Sequence, residues 1–254
     1  MGSEITDNRY TDQQYWEKYY KAKRINTERI TKVVGLYDVY WEKLIHACKK
    51  KPETIIEIGA YPGRYLAYLA SKYKLQPTSL DFNSDVNAIK SVFKSFNIDN
   101  FDCIQADFLE HQTNLKYDLV ISVGFIEHFE NFDEVMDKHC KYLSETGAML
   151  IMIPNMRYVK KWYAQLLDSQ NLKIHNLKSM KLKNFKDFAD RNNLELKTLT
   201  YFGGFPFNVH QNLNFWQRML FKTSRSVFKI LNPLIEKYPN RYLSSSIISI
   251  YTRR

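Results

Sequence analysis

Three carboxylates recur at even intervals in the first half of the chain, each at the end of a short apolar run. They are Glu57, Asp81 and Asp107, and they are separated by 24 and 26 residues. A glycine-containing turn, residues 59–63 (GAYPG), follows the first of them. Carboxylates accept hydrogen bonds from a ligand, and glycine lets the backbone approach one closely. The pattern predicts a binding site if the fold brings the three acids together.

The elements that precede the acids must position them. Short apolar runs alternate with helical patterns, an order that predicts a mostly parallel sheet with helices on both faces. The predicted strands cover residues 54–58, 78–82, 101–106, 117–123, 148–153, 194–201 and 246–252, and helices are predicted near 64–74, 85–96, 132–143 and 183–192. Ligands of such sheets bind beyond the carboxyl ends of the strands. We therefore expect the three acids at one edge of a seven-stranded α/β fold.

The same pattern divides the chain into four parts. Residues 1–51 are predicted to form a helical extension, 52–202 a Rossmann-like core, 203–245 an insertion and 246–254 the final strand. In the insertion, one stripe at mostly helical spacing is apolar and a second is basic. The apolar stripe is Leu213, Trp216, Leu220, Val227, Leu231 and Leu234, and the basic stripe is Arg218, Lys222, Arg225 and Lys229. This predicts a basic amphipathic helix that breaks near Pro233.

With these motifs the sequence resembles the class I S-adenosylmethionine-dependent methyltransferases of the small-molecule type, over residues 50–155 and in outline over 180–254. The resemblance implies that Asp81 holds both ribose hydroxyls of the cofactor and that Asp107 with Phe108 contacts the adenine. It implies that residues 122–128 (SVGFIEH) line the methionine moiety and enter the substrate site. Tyr61 departs from the first motif of the family, which has a glycine there. The implied cofactor residues are Glu57, Gly59, Ala60, Tyr61, Gly63, Asp81, Phe82, Asp107, Phe108, Val123, Gly124 and Phe125.

These residue types suit such a cofactor. A carboxylate can accept two hydrogen bonds from a vicinal diol. The sulfonium of the cofactor is a cation, which Glu57 and aromatic rings such as Tyr61 and Phe125 can stabilise. Methyl transfer is an in-line displacement, so the protein mainly supplies alignment and desolvation of the nucleophile.

His128 is the candidate general base, since it lies four residues after Gly124, where the chain leaves the fourth predicted strand. A structural histidine packed against the next element is the alternative. Some members of the superfamily bind a divalent metal through two glutamates and a histidine in the pattern ExxEH. Here Gly124 replaces the first glutamate before Glu127 and His128, so no metal is predicted.

The predicted acceptor is a small molecule, sugar or lipid-linked glycan intermediate, with oxygen as the nucleophile. After the fourth strand the chain lacks both a cysteine and the Asn/Asp-Pro-Pro-Tyr/Phe signature of many methyltransferases that act on nucleic bases and glutamine. Residues 15–20 (YWEKYY) resemble the aromatic lid of small-molecule members, including those of bacterial glycan and secondary-metabolite pathways, although simple helix packing explains them equally. The alternatives are an RNA methyltransferase, a non-catalytic adenosyl-binding module and, more distantly, a nicotinamide oxidoreductase.

Positive charge is concentrated in the C-terminal part of the chain. Residues 1–156 carry a net charge of −3 and residues 157–254 a net charge of +13. The basic helix is predicted to cap the substrate pocket and to form a core or homodimer contact, with an anionic membrane or RNA as the alternative partner. Three widely spaced cysteines and the absence of a charged-then-apolar leader favour the cytoplasm, with peripheral attachment to the inner membrane face as the alternative.

Overall fold

The structure is a computed structural model that describes residues 9–21, 25–83, 85–207, 209 and 211–254. Its strands are β1 (Thr54–Ile58), β2 (Gln76–Asp81), β3 (Asp102–Gln105), β4 (Tyr117–Val123), β5 (Leu143–Pro154), β6 (Leu194–Phe202) and β7 (Ser246–Arg253). Its helices are α1 (Gln13–Lys21), α2 (Thr27–Gly35), α3 (Asp38–Ala47), α4 (Arg64–Tyr73), α5 (Val86–Ser95), α6 (Phe132–His139), α7 (Tyr158–Leu167), α8 (Ser169–Lys173), α9 (Leu182–Arg191) and α10 (Phe215–Lys237). A short 3₁₀ turn, Ile126–His128, follows β4.

The seven predicted strands form one sheet in the order β3-β2-β1-β4-β5-β7-β6. The pairs from β3 through β5 are parallel, whereas β7 runs antiparallel to both β5 and β6. The predicted seven-stranded, mostly parallel α/β fold is therefore confirmed. The strand order reverses between β1 and β4, and ligands of doubly wound sheets bind at such a switch point.

Helices cover both faces of the sheet, which explains why the central strands are apolar throughout. Neighbouring residues of a strand point to opposite faces. Ile56 accordingly packs in one core with Val120, whereas Ile55 packs in the other with Leu119. The second core includes residues from α2 and α3, such as Trp41. Residues 1–8 and 22–24 of the predicted N-terminal extension lie outside the described residues.

Two helices, α7 and α8, lie between β5 and α9, where the sequence analysis predicted no element. The first of them has neither a side-chain N-cap nor an acidic residue in its first turn, so its start carries no sequence signal. It is stabilised by packing instead. Tyr163 and Leu167 of α7 form a third, small core with Phe205 and with Ile235 of α10.

The helix of the insertion does not break near Pro233, which corrects the prediction. Helix α10 continues through Pro233 to Lys237. Proline removes one backbone donor, which would leave the carbonyl of Lys229 without its helical partner. Both residues are exposed, so water can satisfy that carbonyl. In the described part of the chain, no helix combines the length and the apolar character needed to cross a bilayer.

The buried Trp41 provides a test of the second core. Its indole is 0% exposed, and its Nε1 donates to the carbonyl of Val34 at 3.0 Å. We expect Trp41→Ala to lower the free energy of unfolding by about 3–5 kcal/mol, because it opens a cavity and removes this bond. Trp162→Ala is the matched control: this side chain is 60% exposed, so we expect a change within about 0.5 kcal/mol. Equal losses for both variants in urea unfolding would contradict this core.

Candidate functional site

A cavity of about 520 Å³ lies at the carboxyl edge of the sheet. The turns that follow β1, β2, β3 and β4 contribute to its wall, as expected for strands whose ends meet at one edge. Twelve of the thirteen residues predicted for the site line it: Glu57, Gly59, Ala60, Tyr61, Asp81, Phe82, Asp107, Phe108, Val123, Gly124, Phe125 and His128. The exception, Gly63, does not line the cavity.

Glu57 is held by the first turn of α4. The residue is 2% exposed, and its Oε2 accepts a hydrogen bond from the backbone N of Leu66 at 3.0 Å. Burial raises the pKa of Glu57 well above its usual range, and the bond from Leu66 opposes this effect. A helix N-terminus favours a negative charge. Glu57 therefore caps α4 and forms part of the cavity wall at the same time.

Asp81 presents a half-buried carboxylate at the end of β2. Its Oδ2 accepts from the backbone N of Tyr61 and its Oδ1 from that of Asn83, both at 2.9 Å. Burial raises the pKa of Asp81, and these backbone donors oppose the rise. A carboxylate has about four lone-pair positions. Asp81 therefore retains acceptor capacity for a ligand hydroxyl beside its backbone donors.

Asp107 has a partner that the sequence analysis did not predict. Its Oδ1 accepts from the backbone N of Leu109 at 2.8 Å, and its Oδ2 forms an ion pair with Arg9. The guanidinium of Arg9 also lies 5.6 Å from the centre of the Phe82 ring and 5.8 Å from that of Phe129. The N-terminal segment is thereby attached to the predicted adenine side of the cavity.

The turn after β1 comes into contact with the turn after β4. Gly59 has a φ of +72°, in the left-handed region that favours glycine. A Cβ at this position would collide with the ring of Phe125. Gly63 has a φ of +87° and is the N-cap of α4. Gly59 is therefore required by a close approach at the cavity, and Gly63 by the start of the helix.

A second polar group in the cavity consists of Glu127, His128 and His175, which we call the Glu-His-His cluster. His128 Nδ1 lies 2.7 Å from the carbonyl of Ile174, and His175 Nδ1 lies 2.6 Å from that of Asn171. Because a carbonyl only accepts, each Nδ1 donates, and the neutral ring of His128 presents a lone pair at Nε2. His128 Nε2 lies 3.8 Å from Glu127 Oε1, and Glu127 Oε2 has no hydrogen-bond partner among the described residues.

Burial determines the protonation of this cluster. Glu127 is 1% exposed, and burial raises its pKa to about 8. Burial lowers the pKa of His128 to about 3, and His175 contributes to the same shift. At neutral pH the imidazole of His128 is thus uncharged, while Glu127 is close to its own pKa. Glu127 is therefore the stronger proton acceptor, which argues against His128 as the sole base.

The Glu-His-His cluster also has the donor set of a metal site. One ligand atom from each residue lies within 4.8 Å of the others, and a carboxylate with two imidazoles can bind a transition metal. The sequence analysis predicted no metal because Gly124 replaces a glutamate, but it did not foresee His175. The absence of a metal stays a prediction, which elemental analysis of the purified protein would test.

Aromatic side chains of α1 form another wall of the cavity. They are Tyr15, Trp16, Tyr19 and Tyr20. Trp16 packs edge-on against His128 with 5.0 Å between ring centres, and Tyr20 packs against Tyr61 with 5.4 Å. The segment predicted as an aromatic lid thus covers both the predicted cofactor turn and the Glu-His-His cluster.

Several polar residues of the cavity were not predicted from the sequence, among them Arg9, Lys160 and His175. Lys160 is buried, its Nζ donates to the carbonyl of Pro206 at 3.3 Å, and burial lowers its pKa to about 8. Arg9 lies before α1, Lys160 in α7, and His175 after α8. No spacing relates these positions to the strand ends, and two of them lie in or beside helices that were not predicted.

The basic helix of the insertion does not cap the pocket, contrary to the prediction. No residue of α10 lines the cavity, and among the described residues the insertion contributes only Pro206 and Ser245. The predicted core contact is present. Gln217 Nε2 donates to the carbonyl of Leu166 at 2.8 Å, and Phe228 stacks on Phe205 with 4.0 Å between ring centres.

The fold and the site define a doubly wound α/β protein with an acid-lined ligand cavity at its switch point. The family described as "Methyltransferase domain" matches residues 35–199. The match includes β1 to β5 and the first two thirds of β6, and it covers more than half of the chain. The chain belongs to this family of methyltransferases, which confirms the resemblance stated above, and S-adenosylmethionine is the cofactor of the class.

Curated relatives match a part of the chain. It is 26% identical over 117 residues to a probable (S)-tetrahydroprotoberberine N-methyltransferase 2 from Papaver bracteatum, which covers 45% of this chain and 32% of that protein. It is 28% identical over 117 residues to (S)-tetrahydroprotoberberine N-methyltransferase from Eschscholzia californica, with 45% and 33% covered. The chain thus spans about a third of the length of these relatives.

A solved structure with the same fold is coclaurine N-methyltransferase bound to N-methylheliamine and S-adenosylhomocysteine. The TM-score is 0.57 at 13% identity, and the match covers 87% of this chain and 72% of that one. An S-adenosylmethionine-dependent methyltransferase from Archaeoglobus fulgidus gives a TM-score of 0.59 at 16% identity, with 94% and 100% covered. These likenesses establish the fold.

Asp81 tests the cofactor assignment. We expect Asp81→Ala to weaken the binding of S-adenosylhomocysteine by about tenfold or more, because each hydrogen bond to a charged group contributes about 1.5–3 kcal/mol. Asp99→Ala, on an exposed residue outside the cavity, should leave the affinity unchanged. Isothermal titration calorimetry measures both. Full affinity in a folded Asp81→Ala protein would reject the ribose assignment.

Proposed function

We propose that this protein transfers the methyl group of S-adenosylmethionine to an amine nitrogen of a small molecule. The observation that carries this proposal is the Glu-His-His cluster, buried in the same cavity as the predicted cofactor residues. The bound cofactor supplies the methyl group as an electrophile. The residues of the chain must hold the cofactor, bind the acceptor, take up its proton and exclude water.

The residues present fit the cofactor. Asp81 retains acceptor capacity for ribose hydroxyls, since its two observed bonds come from backbone donors. Asp107 and the buried ring of Phe108 offer a carboxylate and an apolar face for the adenine. The absence of a side chain at Gly59 keeps the turn close to Phe125. Glu57 supplies carboxyl oxygens and Tyr61 an aromatic face for a cationic group.

The acceptor end requires a group that takes up a proton near neutral pH. An amine that arrives as an ammonium ion must lose a proton before its lone pair can attack. The carboxylate of Glu127 can take this proton, because burial brings its pKa to about 8. The neutral imidazole of His128 can accept a hydrogen bond at Nε2 from a second N–H of the acceptor and so orient it.

The chemistry of the cavity favours nitrogen over the oxygen nucleophile predicted from the sequence. The pKa of Glu127, about 8, is much closer to the pKa of an ammonium ion than to that of an alcohol, whose proton is much less acidic. The rings of Trp16 and Tyr19 provide faces for an organic cation. The curated relatives named above are also N-methyltransferases. Oxygen in a sugar or lipid-linked glycan remains the second candidate.

A labelled-methyl transfer screen tests this proposal. The purified protein is incubated with S-adenosylmethionine carrying an isotopic methyl group and with matched amines, phenols and sugars of similar size. We expect label in the amines and no transfer to their hydroxyl analogues. Transfer to hydroxyls alone would reject the nitrogen proposal. Binding of S-adenosylhomocysteine without transfer to any acceptor would favour the non-catalytic adenosyl-binding alternative.

The role of Glu127 predicts a particular pH dependence. In the wild type, kcat should rise with pH through about 8, because the deprotonated carboxylate is the proton acceptor. Glu127→Gln should lower kcat by about 10²–10⁴ and abolish this rise. His128→Asn should lower kcat but leave its rise with pH in place, since the low pKa of His128 lies outside the pH range measured. One acceptor is used throughout, so that its own ionisation is common to all profiles.

Binding of S-adenosylhomocysteine is the control for both variants, since neither residue is among the individual cofactor residues implied by the sequence. An unchanged pH profile in Glu127→Gln would assign the proton transfer to another group. The neutral amine of Lys160, whose pKa is lowered to about 8 in the same cavity, would be the next residue to test.

A cytoplasmic location is also proposed. The three cysteines, Cys48, Cys103 and Cys140, are free thiols. Free cysteines are typical of a reducing compartment, where disulfides do not persist.

A further inference from the structure

Helix α10 exposes an unusually apolar outer surface. Eight of its large apolar side chains are more than a third exposed: Phe215, Trp216, Met219, Leu220, Val227, Ile230, Leu231 and Leu234. Trp216 and Ile230 are 78% and 79% exposed, whereas Ile235 is the helix's one fully buried residue. Contiguous apolar surface of this kind marks a binding site for another molecule.

The helix geometry separates three stripes. A helix turns about 100° per residue. Gln217, Ser224 and Phe228 face the protein, where they contact Leu166, Tyr163 and Phe205 respectively. The side of the helix opposite this stripe carries Phe215, Met219 and Ile230. One flank between the two sides is also apolar and carries Trp216, Val227 and Leu234. The other flank is basic and carries Arg218, Lys222, Arg225 and Lys229.

The basic flank is free to meet an anionic partner. All four of its side chains are exposed, and among the described residues none of them forms a salt bridge. The one acidic residue of α10 is Glu236, near its end. Helix α7, whose Leu166 carbonyl accepts a hydrogen bond from Gln217, also has two exposed apolar side chains, Trp162 and Leu166.

We propose that α10 lies in the interface of an anionic lipid bilayer and attaches the protein to it. The apolar outer side chains would enter the boundary of the acyl region, and the basic flank would lie among the negatively charged headgroups. This combination of a broad apolar face with a basic flank is typical of interfacial helices. No helix in the described part of the chain is suited to crossing the bilayer, so α10 lies on the membrane and does not span it.

Two other occupants would either compensate the positive charges or cover the apolar residues, but not both. RNA would pair its phosphates with Arg218 and Lys222 but would leave Trp216 and Ile230 exposed to water. A second copy of the chain could cover the apolar residues, but the same helix of that copy brings five further cations and a single acid. A bilayer with anionic headgroups covers the apolar residues and compensates the cations.

Vesicle sedimentation tests this inference. We expect the protein to bind vesicles of phosphatidylcholine and phosphatidylglycerol, mixed at about two to one, and to bind pure phosphatidylcholine much more weakly. Trp216→Ser with Ile230→Ser should lower the partition coefficient by at least about tenfold, because it removes apolar insertion. Lys222→Gln with Lys229→Gln should lower it by about thirtyfold on the anionic vesicles only.

Conservative variants are the matched controls. Trp216→Phe and Lys222→Arg with Lys229→Arg should bind as the wild type does, since apolar character and charge are kept. Binding of S-adenosylhomocysteine verifies that each variant is folded and is independent of the membrane result. Failure of the wild-type protein to sediment with anionic vesicles would overturn the proposal. A dimer that is detected by light scattering and that the Ser variants dissociate would also overturn it. The same holds for salt-dependent binding of RNA without binding of vesicles.

Discussion

The site depends on which hydrogen-bond donors replace water around four carboxyl groups at one edge of the sheet. Backbone N–H groups of the following turns bind Glu57, Asp81 and Asp107. Such donors are needed, because a buried charge without partners costs several kcal/mol. Glu127 has no partner at its Oε2 among the described residues, and burial raises its pKa. Burial raises the pKa of Glu57 and Asp81 as well, so the acids differ in their backbone partners and not in the direction of the pKa shift.

The N-terminal segment joins the two ends of the cavity. Arg9 pairs with Asp107 at the predicted adenine side, and the next residue, Tyr10, donates its backbone N–H to the carbonyl of His128 at 2.8 Å. Trp16 then packs on the His128 ring. The aromatic wall beside the Glu-His-His cluster is therefore attached to a residue predicted to bind the adenine and to His128 itself.

Most of the fold could be predicted because buried parallel strands leave a strong local pattern. The run at residues 54–58 and the run at 117–123 coincide with β1 and β4. The helix α7 left no such pattern, since it lacks a capping residue and is stabilised by Tyr163 and Leu167 against the insertion. The break predicted at Pro233 was wrong because an exposed carbonyl can be hydrated, and only the packing of α10 shows that it is exposed.

The sequence by itself determined which acids follow which strands, and hence that Glu57, Asp81 and Asp107 meet at one edge. This follows from strand order, because parallel strands place their carboxyl ends together. Only the tertiary structure decided what else reaches that edge. His175 and Arg9 arrive from distant segments, and the proton affinity of Glu127 follows from its burial. Such contacts depend on long-range packing, which leaves no periodic signal in a single chain.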